Sequence, residues 1–139
     1  MRAGYKILWT LLWPCCVAAQ QKGDILVAAE FDFYKTDNIG LLGKGQAGME
    51  LFYFRQAGWA LTAGAEYWTR EWKGTVGLRA ELNERWYLRA RGVIGERSYF
   101  NAGLGHKVPL GKRWVLENLL DYYPQPNDLA LRTGVLFRF

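Results

Sequence analysis

The 139-residue chain contains little material for side-chain catalysis or thiol chemistry. It has one serine (Ser98), one histidine (His106) and two cysteines (Cys15 and Cys16). Proline is scarce, at 4 residues, whereas glycine reaches 16 and half of the chain is hydrophobic. That composition argues against a disordered or collagen-like chain. The net charge of +5 is spread along the sequence without a basic cluster, so nothing indicates nucleic acid as a partner.

The first 19 residues have the layout of a secretory signal peptide. Arg2 and Lys6 form a positive start, an apolar stretch follows, and Val17-Ala18-Ala19 supplies the small residues that precede a cleavage site. The apolar stretch ending at Ala19 is 13 residues long, which is shorter than the ~20 residues that a helix needs to cross a bilayer. We therefore expect residues 1–19 to be removed after export.

Both cysteines lie within this segment. Cleavage after Ala19 leaves residues 20–139 as a chain without disulfides or thiolate metal sites. The alternative is a lipoprotein cut at Cys15 or Cys16. Pro14 argues against that alternative, because lipoprotein signals have a small residue just before the cysteine.

Apolar and polar residues alternate with a period of two after residue 24, which indicates β-strands. Eight segments in 120 residues allow 15 residues for each strand and its connection. Strands of about ten residues, tilted by ~45°, match the apolar band of an outer-membrane barrel. The sequence predicts an all-β fold, an eight-stranded antiparallel transmembrane β-barrel with short loops. The alternating segments are 25–33, 47–53, 59–67, 76–82, 86–95, 100–105, 114–122 and 129–139.

A membrane barrel has its apolar face outside, whereas a soluble ligand carrier has its apolar face inside. The direction of the apolar face therefore distinguishes the two. The polar face carries seven glycines, and glycine spares room inside a narrow eight-stranded barrel. The apolar face carries aromatic residues near the strand ends, and two such girdles are typical of membrane interfaces. Both features favour the membrane barrel. The predicted girdles are Phe33, Tyr67, Trp72, Phe100 and Tyr122 at one end, and Tyr53, Trp59, Trp86, Trp114 and Phe137 at the other.

The polar face also carries seven acidic and seven basic residues. Buried charges are costly unless they are paired, so equal numbers predict a network of ion pairs that plugs the lumen. A water-filled conduit and an acid/base pair such as Glu30 and Asp32 are the alternatives. The predicted network comprises Glu30, Asp32, Glu50, Glu66, Arg79, Glu81, Arg89, Arg91, Glu117, Asp121 and Arg132, and the remaining bases are Lys73, Lys107 and Arg138.

The last strand resembles the C-terminal signature of bacterial outer-membrane β-barrel proteins. Every second residue of this strand lies on one face, and the aromatic Phe139 is the last residue. The residues on that face are Leu131, Thr133, Val135 and Phe137. Over residues 22–139 the pattern is similar to that of the small eight-stranded kind, such as OmpX and the transmembrane domain of OmpA. This resemblance implies residence in the outer membrane, contact with outer-membrane lipid and lipopolysaccharide, and recognition of Phe139 by the barrel assembly machinery.

Some small outer-membrane barrels modify lipid A with a site that contains histidine and serine. Here Ser98 and His106 are eight residues apart on one strand, about 26 Å at 3.3 Å per residue. They cannot share a hydrogen bond, so we expect no enzyme activity. The sequence also contains no pattern for a cofactor or metal.

Two function classes remain, a structural or interaction protein of the envelope and, as the alternative, a narrow porin-like pore for ions or small solutes. The longest outer loop is a possible contact surface for lipopolysaccharide phosphates or an unknown protein partner, because it mixes basic and apolar residues. Asn118 points toward lipid in mid-strand, which predicts a bulge in the seventh strand or a contact with another subunit. The loop residues are Lys35, Ile39, Leu41, Leu42 and Lys44.

Overall fold

The computed structural model describes residues 22–35, 46–68, 71–125 and 127–139. These residues form eight β-strands; each pairs antiparallel with the next, and β8 pairs with β1 to close a barrel. The predicted fold class is therefore confirmed. No helix in the described ranges is long and apolar enough to cross a membrane. The strands are β1 (Ile25–Lys35), β2 (Gln46–Gln56), β3 (Trp59–Trp68), β4 (Glu71–Glu81), β5 (Trp86–Ile94), β6 (Tyr99–Pro109), β7 (Trp114–Tyr123) and β8 (Asp128–Arg138).

Several predictions concern residues that the structure does not describe. The proposed signal peptide, residues 1–19, lies outside the described ranges. The backbone of residues 33 and 35 belongs to β1, but the side chains of Phe33 and Lys35 are outside the described set. The loop residues Ile39, Leu41, Leu42 and Lys44 lie wholly outside the described ranges.

The two ends of the barrel differ in their connections. The start of β1, the end of β8 and the turns at 57–58, 82–85 and 110–113 lie at one end, which we call the terminal end. The end of β1, the start of β2, the end of β3, the start of β4 and the connection at 95–98 lie at the other end, which we call the loop end.

Local chemistry stabilises the terminal end. Gly58 has a φ of 81°, a left-handed conformation that favours glycine in the turn after β2. The Asn83 side-chain oxygen accepts hydrogen bonds from the backbone N–H groups of Arg85 (2.8 Å) and Trp86 (2.9 Å), which fixes the turn before β5. At the closing seam, Arg138 donates to Asp24 over 2.8 Å.

Side chains alternate between the interior and the outer wall along the strands, as the period-two pattern predicts. In β2, for example, Glu50, Phe52 and Phe54 are buried inside, whereas Leu51 and Tyr53 are exposed on the outer wall. The interior is therefore the core of the molecule, and the outer wall is largely apolar.

Candidate functional site: the barrel interior and its outer wall

Glycines on the inner face make room for the large side chains of the interior. A Cβ atom at Gly105 would lie 2.0 Å from Cζ of Tyr87, and one at Gly103 would lie 2.2 Å from Oδ1 of Asp121. At Gly77 the added atom would lie 2.3 Å from the backbone oxygen of Ala90. These positions have no space for a side chain, which supports the interpretation of the polar-face glycines as interior residues.

Arg89 is the centre of the ion-pair network. It projects from β5, and its Nη1 contacts Glu30 over 2.9 Å and Glu50 over 2.6 Å. Its Nη2 contacts Asp121 over 3.1 Å. Three carboxylates from β1, β2 and β7 thus converge on one guanidinium across the barrel, and all four side chains are buried.

Arg91 and Arg132 extend the network toward the loop end. Arg91 contacts Glu66 over 2.5 Å, and Arg132 contacts Glu66 as well. Arg132 also binds Asp32 over 2.5 Å and Glu30 over 3.1 Å. The shared carboxylates of Glu30 and Glu66 link the three arginines into one cluster, which we call the central cluster.

A second group of charges lies nearer the terminal end, on the β4 to β7 side. Arg79 contacts Glu81 over 2.7 Å and Glu117 over 2.6 Å, while Lys107 binds Glu81. The guanidinium of Arg79 also lies 3.6 Å from the ring centroid of Tyr87, a cation–π contact. These four charged residues, which we call the lower cluster, lie between the central cluster and the turns at 82–85 and 110–113.

Apolar or aromatic side chains lie in the interior at both ends of the barrel. At the terminal end a cluster of buried apolar residues from β1, β2, β3 and β8 lies in the lumen, and at the loop end Trp68 stacks on Tyr99 with ring centroids 5.3 Å apart. Lys73 lies over both rings, at 5.1 Å from Trp68 and 5.3 Å from Tyr99. The apolar cluster consists of Leu26, Ala28, Phe52, Phe54, Ala60 and Leu136, with Val115 packed against it.

The structure places all eleven predicted network residues inside the barrel, together with Lys73 and Lys107. Arg138 differs from expectation. Its side chain is 39% exposed and pairs with Asp24 at the rim, because β8 ends there. The sequence alone did not predict the apolar cluster, which occupies the lumen at the terminal end beside these charges. The sequence signal for this apolar cluster was the pair Phe52 and Phe54, because they lie on the same inward face of β2 as Glu50.

The predicted girdle residues whose side chains are described point outward. Most are exposed, and Trp59, Trp86 and Trp114 are the first residues of β3, β5 and β7 at the terminal end. Phe137 is half-buried, since its ring packs against Trp114 with centroids 4.8 Å apart. The others are Tyr53 at the terminal end and Tyr67, Trp72, Phe100 and Tyr122 toward the loop end.

Asn118 lies on the outer wall without a bulge in β7. The pairing of β7 with β6 and with β8 keeps a continuous register through this residue, so the bulge hypothesis is wrong. Instead, the Asn118 side-chain oxygen lies 3.1 Å from the hydroxyl of Thr133, its cross-strand neighbour. The contact with another subunit stays a prediction.

Ser98 and His106 lie in different surroundings. Ser98 is exposed in the connection before β6, whereas His106 faces the outer wall with its ring centroid 4.6 Å from that of Trp86. In the part of the chain that the structure describes, no group of three histidine, cysteine or acidic residues is arranged to hold a metal ion.

A closed antiparallel barrel with an apolar outer wall, aromatic residues at both ends and ion pairs inside has the architecture of a transmembrane β-barrel. No family model and no curated protein matches the chain. Among solved structures, it is similar to one from the de novo design of transmembrane β-barrels, with a TM-score of 0.69 and 13% identity over 86% of this chain and 98% of that chain. It is also similar to the solution NMR structure of the de novo designed TMB2.3, with a TM-score of 0.58 and 14% identity over 87% of this chain and 98% of that one. These similarities establish the fold.

Proposed function

We propose that this protein is an integral β-barrel of the bacterial outer membrane with a structural or interaction role in the envelope. The observation that carries the proposal is the placement of apolar side chains outside and ion pairs inside. Strands of 9 to 11 residues, at ~3.3 Å per residue and a tilt of ~45°, span about 21 to 26 Å. That height fits an apolar band of ~25 Å.

The remaining parts of this proposal come from the sequence. Residues 1–19 direct export as a signal peptide and are removed, and residues 20–139 insert with the terminal end toward the periplasm. The barrel assembly machinery recognises Phe139 during insertion. The loop of residues 35–45 faces outward, where its lysines meet lipopolysaccharide phosphates or a protein partner.

The proposed role needs neither a pore nor catalysis. Apolar side chains at the terminal end, two clusters of ion pairs and stacked rings at the loop end all occupy the lumen. A narrow pore, the alternative, requires a continuous water path through these layers. Ser98 in a connection and His106 on the outer wall supply no paired nucleophile and base.

The test uses residues 20–139 refolded in detergent and in lipid vesicles. We expect sheet-rich circular dichroism, a heat-dependent shift in gel mobility and no stable conductance in planar bilayers, with protein-free bilayers as the baseline. A water-soluble monomer in the absence of detergent would refute membrane residence. Steady single-channel steps from the unmodified protein would instead support the pore.

A further inference from the structure

Charge is distributed unequally between the two ends of the barrel. The residues at the terminal end include six bases and two acids, whereas the described side chains of the strand ends and connections at the loop end include one base, Arg97, and three acids, Glu71, Glu96 and Asp128. Apart from the buried Asp128, the interior contains seven acids and six bases. Net positive charge is therefore concentrated at the terminal end. The six bases are Lys22, Arg55, Arg85, Lys112, Arg113 and Arg138, and the two acids are Asp24 and Glu84.

Most of these bases are available to a ligand. Arg138 pairs with Asp24, but the other five side chains are exposed and form no ion pair with any residue that the structure describes. Two of them directly precede outward-facing tryptophans, in the pairs Arg85–Trp86 and Arg113–Trp114. Tryptophan is enriched at the membrane–water interface, so these bases lie at the depth of lipid headgroups.

Arg55, another exposed base of the terminal end, lies near an outward-facing tryptophan in a groove on the outer wall. The groove has a volume of about 220 Å³ and is lined by Arg55, Gln56, Trp59, Ala60, Leu61 and Leu78, of which Arg55 and Gln56 lie at the terminal end. Trp59, the first residue of β3, is paired with Gln56 and lies two residues before Leu61. The groove then runs along Leu61 and Leu78, which are paired across β3 and β4 and are 46% and 48% exposed on the outer wall. One end is thus cationic and the other apolar, with an aromatic ring between them.

We propose that this groove binds an anionic phospholipid of the leaflet at the terminal end. Arg55 donates hydrogen bonds to the phosphate, the ring of Trp59 lies beside the glycerol region, and an acyl chain covers Leu61 and Leu78. The remaining bases of the terminal end attract anionic headgroups to the surrounding leaflet. This inference rests on the proposed membrane residence of the barrel.

Native mass spectrometry of the refolded protein in detergent tests the site with defined lipids. Phosphatidylglycerol and phosphatidylcholine of identical acyl chains are added at equal concentration. We expect preferential retention of phosphatidylglycerol, and Arg55→Gln should weaken it about fivefold, the equivalent of ~1 kcal/mol. Arg55→Lys should retain most of the preference because it keeps the positive charge. Arg97→Gln, an exposed arginine at the loop end, is the matched control and should bind like the unmodified protein.

Two results would overturn the inference. One is equal retention of both lipids by the unmodified protein, and the other is unchanged retention of phosphatidylglycerol by Arg55→Gln. Glycerol phosphate, which has the headgroup chemistry without acyl chains, should not displace the lipid; displacement would make the groove a phosphate site. Heat-dependent gel mobility in vesicles of phosphatidylcholine alone tests membrane residence separately, because those vesicles contain no anionic lipid.

Discussion

At the scale of single residues, the interior joins charges that are far apart in the sequence. Arg132 binds Asp32, 100 positions away, and Glu30, 102 positions away. Buried ion pairs of this kind are weak evidence for stability, because desolvation offsets much of the attraction. Removing one partner is costly all the same, since it leaves an uncompensated charge in a closed space.

Replacing Arg89 by Met should lower the free energy of unfolding by about 3 to 5 kcal/mol. The substitution keeps much of the volume but removes the cation shared by Glu30, Glu50 and Asp121. Urea titration in vesicles, followed by tryptophan fluorescence, measures the change. Arg97→Met, at an exposed position, is the control and should stay within about 0.5 kcal/mol of the unmodified protein.

A double variant tests whether the loss comes from stranded carboxylates. In the double variant Arg89→Met with Glu50→Gln, one of the three stranded carboxylates becomes a neutral amide. The loss of stability should therefore be smaller than the sum of the losses in the two single variants. Strict additivity would mean that Arg89 acts through packing alone.

Replacing Asn118 by Leu should raise the free energy of unfolding by about 1 kcal/mol, since a lipid-facing amide is costly to desolvate and its contact with Thr133 involves only one end of it. Leu120→Asn, on the same strand and face, is the mirror variant and should lower stability. The same urea titration applies to both. A loss of stability in Asn118→Leu, together with loss of an oligomer in size analysis, would support the subunit contact instead.

At the scale of elements, β4 shows how an inward glycine differs from an outward one. Gly77 faces the interior, where an added Cβ would lie 2.3 Å from the backbone oxygen of Ala90 on β5 and 3.0 Å from the Cα of Arg91. Gly74 lies three positions earlier on the outer wall and has nothing within 4 Å of such an atom. The close approach of β5 therefore requires glycine at position 77 but not at position 74.

Gly77→Ala should lower the free energy of unfolding by about 1 to 3 kcal/mol, because β5 must shift away from β4 to admit the methyl group. Gly74→Ala should leave it unchanged or raise it by up to about 1 kcal/mol, since alanine restricts the unfolded chain. Urea midpoints of the two variants in one lipid give the comparison. Equal effects at the two positions would contradict the assignment of the inner face.

At the scale of the whole molecule, β8 closes the barrel by pairing with β1, and Phe139 follows it. The backbone N–H of Phe139 donates to the carbonyl of Ile25 over 3.3 Å, and its ring contacts Phe137 with centroids 5.1 Å apart. Phe139 is nonetheless 74% exposed, so it contributes little buried area to the finished barrel. Phe139 is therefore expected to contribute little to the stability of the finished barrel.

Deletion of Phe139 should reduce the amount of protein inserted in the outer membrane and enlarge the unfolded periplasmic pool. The free energy of unfolding of the refolded barrel should change by less than about 1 kcal/mol, because the ring is mostly exposed. Quantification of membrane and periplasmic fractions measures the first effect. Phe139→Tyr keeps the aromatic ring and should accumulate normally; normal accumulation of the deletion variant would contradict the assembly role.

The sequence by itself determined the number of strands, their antiparallel order and the face that points inward. Period-two alternation is a property of each strand alone, so it can be recognised in the sequence before the neighbouring strands are known. The seven polar-face glycines and the aromatic residues at the strand ends then distinguish a membrane barrel from a soluble one. For the same reason, the eleven network residues could be assigned to the interior before any contact was known.

Only the tertiary structure decided which of these residues meet. The three carboxylates around Arg89 come from β1, β2 and β7, and their convergence depends on the register of every strand pair around the closed barrel. The apolar cluster at the terminal end also depends on closure, because it gathers side chains from β1, β2, β3 and β8 that no single strand predicts to touch. Alternation sets the direction of a side chain, whereas closure of the barrel sets its partners.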